Sequence, residues 1–379
     1  MYCKPTVLAL AALIGMSACG HAGADELPKV PAGFTITKIA SVSGARELAV
    51  ASNGDLLVGT AGSDVYLIAG ADTSPGAPKV FVHLNDSPVA GVAIANNTLY
   101  LGAQFGVWQL PYHAGDRRAT APPRKIASLR TSGVSSDHVT TTVAVSGSKL
   151  YASVGSSCNN CQPELDDTRA TVQEMDMDGA HRAPQAIHIR NAIALAVNSA
   201  TGSVWAGVAG QDELAHGHPY EIFDAITLQG GIVDYGWPYC YENRRAVSSQ
   251  HDCSHAPIAR AVFPAYETPI GAAFYPANLK GRYVFPRRYW GGAFVTLHGS
   301  WHTPLVAPRV AFVPMNGDDP QHAVNWKDPG AQWSEFVSGF ANAGGTRLAR
   351  PTGIAVGPQG DLFIADDYSG SVFRIRPAR

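Results

Sequence analysis

Three features of these 379 residues predict an all-β chain folded as a six-bladed β-propeller. One hairpin pattern recurs six times, Gly, Asn and Ser sit in the turns between its halves, and no long amphipathic helical period interrupts the series. The pattern is a short apolar run, a turn, a second apolar run and often a closing Gly.

The copies follow in order. The first is ELAVASNGDLLVGT from Glu47, then GVAIANNTLYLGA from Gly91, TVAVSGSKLYASVG from Thr142 and ALAVNSATGSVWAGV from Ala194. A looser copy, GAAFYPANLKGRYVF, starts at Gly271, and GIAVGPQGDLFIADD starts at Gly353. A third run follows several hairpins: SDVYLI from Ser63, FGVWQL from Phe105 and GSVFRI from Gly370. A two-sheet sandwich also uses hairpins, but its hairpins need not share one internal pattern. The later copies are farther apart, so residues 207–261 and 297–349 carry long excursions, where function concentrates on a rigid scaffold.

With 46% hydrophobic and 15% charged residues and a net charge of −2, the chain can bury a large core as one domain spanning 25–379. It has no charge run, which excludes nucleic acid as a partner. Residues 1–24 read as a signal peptide: Lys4, an apolar run from Val7 to Ala18, then small residues. Met16-Ser17-Ala18-Cys19 offers a lipoprotein cleavage that would leave a lipid anchor on Cys19. Ala22-Gly23-Ala24 offers instead the release of a soluble protein. Both place the mature chain outside the cytoplasm, in the periplasm or on the outer membrane.

Cys158, Cys161, Cys240 and Cys253 then lie in an oxidising compartment. Separation favours the pairs Cys158–Cys161 and Cys240–Cys253 over a four-thiolate zinc site. The second pair would fasten the aromatic stretch DYGWPYCYEN, from Asp234 to Asn243, as a turn. No haem-attachment motif is present, because Gln162 follows Cys161.

Polar groups cluster where three copies begin. SSDHVTTTVAV puts Asp137 and His138 before the third, HIRNAIALAV puts Arg190 and Asn191 before the fourth, and RLARPTGIAV puts Arg347 and Arg350 before the sixth. Strand starts converge at a propeller axis, so these side chains can line one pocket. Guanidinium groups bind carboxylates through parallel charge-assisted hydrogen bonds, and a neutral His can accept a proton. The pocket therefore suits a planar, carboxylate-rich ligand beside a base.

The order DHVTTTVAVSGSKLYASVG, IRNAIALAVNSATGSVW, AGQDEL, GGIVDYGWPYCY, FVTLHGSW and RPTGIAVGPQGDLFIADD resembles the soluble sugar dehydrogenases that depend on pyrroloquinoline quinone (PQQ). The similarity is greatest to their sorbosone and aldose dehydrogenase branch and runs from about Gly33 to Pro377. It implies a six-bladed propeller with PQQ and calcium at its mouth. By position His138 is the general base, Arg190 and Asn191 contact the cofactor and transition state, and Arg350, with Arg347 as companion, holds a PQQ carboxylate. Gly210 and Gln211 lend backbone carbonyls to calcium, with Asp212 next to them. A small sugar or alcohol would be the substrate, and a separate acceptor would take the electrons. The alternatives are a calcium-dependent lactonase-type propeller, which would need side-chain carboxylates converging on the metal, and a non-catalytic binding propeller.

The chain departs from the family pattern in three places. Thr141 or Thr142 stands where an Arg often follows the catalytic His. His298 or Ser300 stands in place of a cofactor-contacting Lys, which makes His298 a cofactor-binding candidate. His302 and Thr303, rather than Asn and Arg, follow Trp301.

Overall fold

The computed structural model describes residues 27–131, 137–161, 164–228, 230–300, 306–342 and 345–378. The expected leader with Cys19, and the departures at 301–303, lie outside them. Within the described residues the chain is all-β, its one helical element being a single 3-10 turn at Arg287–Tyr289.

Five of the six hairpin copies form where the sequence places them. In the fifth, Pro269–Phe274 pairs instead with Ala293–Leu297, because KGRYVF, its expected second half, is part of a loop that ends in the 3-10 turn Arg287–Tyr289. Val143–Ser146 pairs antiparallel with Lys149–Val154, then Thr171–Asp176 and Ala183–Ile187 follow. Local chemistry explains the tight turns: between Val89–Ala95 and Thr98–Ala103, Asn96 and Asn97 adopt φ of 49° and 56°. Asn tolerates that left-handed region, and a turn with both central residues there matches the strand twist. The inner strands are buried on both faces: in Thr98–Ala103, Leu99, Leu101 and Ala103 are fully enclosed and Tyr100 between them is buried too.

Four sheets begin with Val143–Ser146, Ala194–Val197, Pro269–Phe274 and Pro351–Val356. A fifth, eight-stranded sheet contains two meanders, starting at Ala45–Val50 and Val89–Ala95, that are joined by the pairing of Thr60 with Val89. The six first strands lie side by side in a closed cycle, from Ala45–Val50 round to Pro351–Val356 and back. Packing there is close: a Cβ on Gly353 would meet Arg46 O at 2.3 Å, so only Gly fits at that crossing.

The N-terminal strand Phe34–Ser41 pairs with the last strand, Ser371–Pro377. Phe34 is also wedged against Phe285 at 4.7 Å, inside an aromatic core with Tyr289, Phe294 and Phe336. Edge-to-face packing of this kind adds to plain area burial.

Both long excursions are present. Between Glu221–Ala225 and Ala261–Phe263 the chain makes a small ribbon, Cys240–Tyr241 against Arg245–Ala246. The disulfide Cys240–Cys253 closes it, and Cys158–Cys161 is also bonded, each with Cα atoms 5.6 Å apart. Disulfides rather than zinc thus account for these cysteines.

Candidate active site

First strands begin, and second strands end, at the same end of the antiparallel sheets. His138, Arg190, Asn191 and Arg350 precede first strands, while Gly210 and His298 follow second strands. Topology alone therefore carries all six to one mouth, where they form two clusters.

The first cluster centres on His138, whose backbone is left-handed at φ 45°. Its Nδ1 lies 3.0 Å from both Ser156 O and Ser156 Oγ. The Ser156 hydroxyl donates to Cys158 O at 2.7 Å, so both atoms facing Nδ1 are acceptors and the ring proton belongs on Nδ1. Nε2 keeps its lone pair. Burial, followed by the charges of Arg190, Arg169 and Arg130, pushes the imidazole pKa down to about 4. The ring is neutral at pH 7.

Arg190 is buried and saturated. Nη1 donates to Gly210 O at 2.6 Å and to Ala209 O at 3.2 Å, and Nε donates to Asn159 O at 3.1 Å. Nη2 donates to Asn159 Oδ1 at 3.0 Å and pairs with Asp212 Oδ2 at 3.2 Å. Backbone joins it to the histidine, since Ser156 N donates to Arg190 O at 2.8 Å. Gly155 makes room for the meeting: a Cβ there would lie 2.4 Å from His138 Cβ and 2.5 Å from Asn191 Oδ1. His138, Arg190 and Asn191, distant in sequence, are thus brought together.

Sequence reasoning missed Asn159. Held in the Cys158–Cys161 loop, it braces Arg190, accepts from Asp212 N at 2.8 Å and donates to Asp212 O at 3.0 Å. Trp237 Nε1 reaches Asn159 O at 3.3 Å, so the aromatic stretch supports the site through this loop. Glu221 was also missed. It accepts Gly210 N at 2.6 Å and Tyr266 N at 3.0 Å, and burial pushes its pKa up to about 7. An apolar cavity of about 70 Å³ beside Arg190, Gly210, Gln211 and Trp237 does not reach His138.

The second cluster belongs to the fifth and sixth units. Arg350 Nε donates to His298 O at 3.2 Å, and its Nη2 donates to Gly299 O at 3.0 Å and to His298 Nδ1 at 2.7 Å. Nε2 of His298 donates to Asp367 Oδ1 at 3.0 Å, and Arg46 pairs with Asp367 Oδ2 at 3.5 Å. Both ring nitrogens of His298 are therefore engaged. As placed here it orients Arg350 rather than offering a nitrogen to a ligand, and burial pushes its pKa down to about 4. Arg347 donates to Ser300 O, and among the described residues its buried Nε has no hydrogen-bond partner.

The two clusters suit different parts of an anionic cofactor. Among the described residues neither Arg347 nor Arg350 has a side-chain carboxylate within ion-pair distance, so donors remain for carboxylates of PQQ. Burial, then Arg347, pushes the Arg350 pKa down to about 10, and it stays cationic. For calcium, the described residues contain no group of three or more His, Cys, Asp or Glu able to hold a metal. Backbone oxygens at Gly210 and Gln211 are donors of the right hard character. Gly210 O already accepts from Arg190, and a carbonyl has a second lone pair.

A closed ring of antiparallel meanders, with a neutral histidine and a bank of arginines at one mouth, defines a ligand-binding β protein. More particularly, the chain belongs to the TrAA12-like family, matched over residues 28–378. It is similar in fold to the holo form of the pyranose dehydrogenase PQQ domain from Coprinopsis cinerea, with a TM-score of 0.78 and 19% identity over 92% of this chain and 97% of that one. It is also similar to the calcium structure of carbohydrate-active enzymes family AA12 from Trichoderma reesei, with a TM-score of 0.76 and 19% identity over 93% and 97%. An uncharacterized protein of Borreliella burgdorferi is 22% identical over 232 residues, which span 60% of this chain and 57% of that relative.

Proposed function

We propose that the protein oxidises an aldose sugar or a related alcohol or aldehyde, using PQQ and calcium, and passes the electrons to a separate acceptor. The observation that carries this reading is His138: Nδ1 faces only acceptors, so the neutral ring keeps a lone pair on Nε2 to accept a proton beside the buried cation Arg190. Family membership supports it, as do the PQQ and calcium named for the two fungal structures.

In this reading Nε2 of His138 takes the proton of the substrate hydroxyl. Arg190 holds fixed positive charge where negative charge develops, with no reorganisation needed because its contacts are already made. Arg347 and Arg350 bind carboxylates of the cofactor, His298 keeps Arg350 aimed, and Asn191 adds an amide beside the base. Carbonyls of Gly210 and Gln211 would hold calcium. When bound, PQQ with its calcium supplies a polarised two-electron acceptor for the substrate hydride.

We read the cycle of six first strands as the axis of a six-bladed propeller, with the eight-stranded sheet counted as two blades. We also propose that residues 1–24 direct export to the periplasm, with Cys19 as the alternative lipid anchor on the outer membrane.

Adding PQQ and calcium chloride to the apoprotein and following reduction of an artificial acceptor with a panel of aldoses tests the proposal. Sugar-dependent turnover is expected, and His138→Ala should lower it about 10²- to 10⁴-fold. Absence of PQQ binding, or lactone hydrolysis without PQQ, would sink the reading.

A further inference from the structure

Two buried arginines outside every motif surround the histidine. Arg130, only 3% exposed, spreads one guanidinium over four acceptors. Nη1 donates to Gln104 O at 2.6 Å and Thr141 Oγ1 at 2.7 Å, and Nη2 donates to His138 O and Thr140 O, both at 2.9 Å. Arg169, 4% exposed, approaches from the other flank. Its Nη1 donates to Ser156 O at 3.0 Å and to Asp137 O and Gly155 O, each at 3.3 Å. Together they hold the carbonyls of Asp137, His138 and Thr140 and the strand end that carries the Nδ1 acceptor.

Burying two guanidinium groups is costly even with the carboxylates of Asp86, Asp137, Glu164 and Asp166 acting on them, and a left-handed backbone at a non-glycine residue is unfavourable by itself. His138 at φ 45° and Arg130 at φ 51° both carry that strain. A planar fork can fix several carbonyl directions at once, which no single-point donor can do.

We propose that Arg130 and Arg169 are positioning residues: they clamp the backbone on either side of His138, fix its left-handed turn and lock Nδ1 onto Ser156, so that Nε2 is presented as the base. The inference rests on the proposed role of His138. The charged groups facing the imidazole are the guanidinium groups of Arg190, Arg169 and Arg130. Their shared sign also keeps the ring neutral.

The test uses the full exported chain and has two readouts. In the apoprotein, the His138 ring resonances are followed by NMR against pH, assigned by their loss in His138→Gln. In protein loaded with PQQ and calcium, turnover and KM are measured for a responsive aldose. Arg130→Gln should move the His138 titration upward, while burial and Arg190 still hold it below that of an ordinary histidine. It should also lower kcat roughly 10- to 100-fold with KM changed less than about threefold. Arg130→Lys should restore the titration in part but not kcat, because charge returns without the fork. A fall in thermal stability with kcat and the His138 titration both unchanged overturns the proposal. Should Arg130→Gln fail to fold, Thr141→Val removes a single acceptor, and unaltered His138 resonances and kcat there overturn it equally. Full turnover in His138→Ala would instead refute the base assignment, while the NMR arm still reports on the clamp.

Discussion

The arginines at the two sides of the mouth differ in what they have left to give. Arg190 meets three backbone carbonyls, an amide oxygen and a carboxylate, so its guanidinium is spent on the protein itself. Among the described residues, Arg350 and Arg347 lean on neutral acceptors, and a buried Nε of Arg347 has no partner. A saturated cation provides a fixed field and holds its surroundings together. An unsaturated one is arranged to receive an anion.

Breaking that contrast is the most direct check. Arg350→Ala should weaken PQQ binding roughly 10- to 100-fold, the range expected for losing a hydrogen bond to a charged group. Arg190→Ala should instead lower turnover and thermal stability together, because it strands the carbonyls of Asn159, Ala209 and Gly210. Cofactor titration and thermal melts on both variants decide. Equal losses of affinity with unchanged melting would erase the distinction.

A smaller effect should come from filling the gap between base and amide. Gly155→Ala places a methyl group against His138 and Asn191, at an expected cost of about 1–3 kcal/mol in stability. Turnover should drop about tenfold while PQQ affinity, set on the opposite side, stays within about twofold. Affinity and kcat measured side by side check this.

A pH-dependent effect concerns Glu47 in the first strand of the first unit. Burial pushes its carboxyl pKa up from 4.5 to about 8, against the pull of Arg46. The folded chain thus keeps a proton that the unfolded chain releases above about 4.5. Its contribution to stability falls as pH rises from there through about 8. Glu47→Gln should therefore gain stability relative to the parent at pH 8.5 but not at pH 5 in denaturant melts. A gain independent of pH would show that the carboxyl does not titrate in this window.

Much of the fold was legible because hairpins are local objects. Apolar runs and turn residues such as Asn96-Asn97 act over a few positions, and five of the six copies form the expected hairpin, while the fifth takes its second strand from Ala293–Leu297, beyond the reach of a local turn pattern. The candidate site was legible only where it shares that periodicity: His138, Arg190 and Arg350 stand just before first strands. His298 was found by its place in the family pattern, yet Arg350 and Asp367 occupy both its nitrogens, through contacts 52 and 69 residues away in sequence.

What the sequence determined by itself was the strand pattern, the excursions, the disulfide pairs and the register that aims polar residues at one end. Only the tertiary structure decided which guanidinium groups are satisfied, that Asn159 braces Arg190, and that Arg130 and Arg169 enclose His138. The physical reason is range. Strand and turn preferences are written in neighbouring residues, whereas hydrogen-bond saturation depends on which distant carbonyls the closed ring of strands brings within 3 Å.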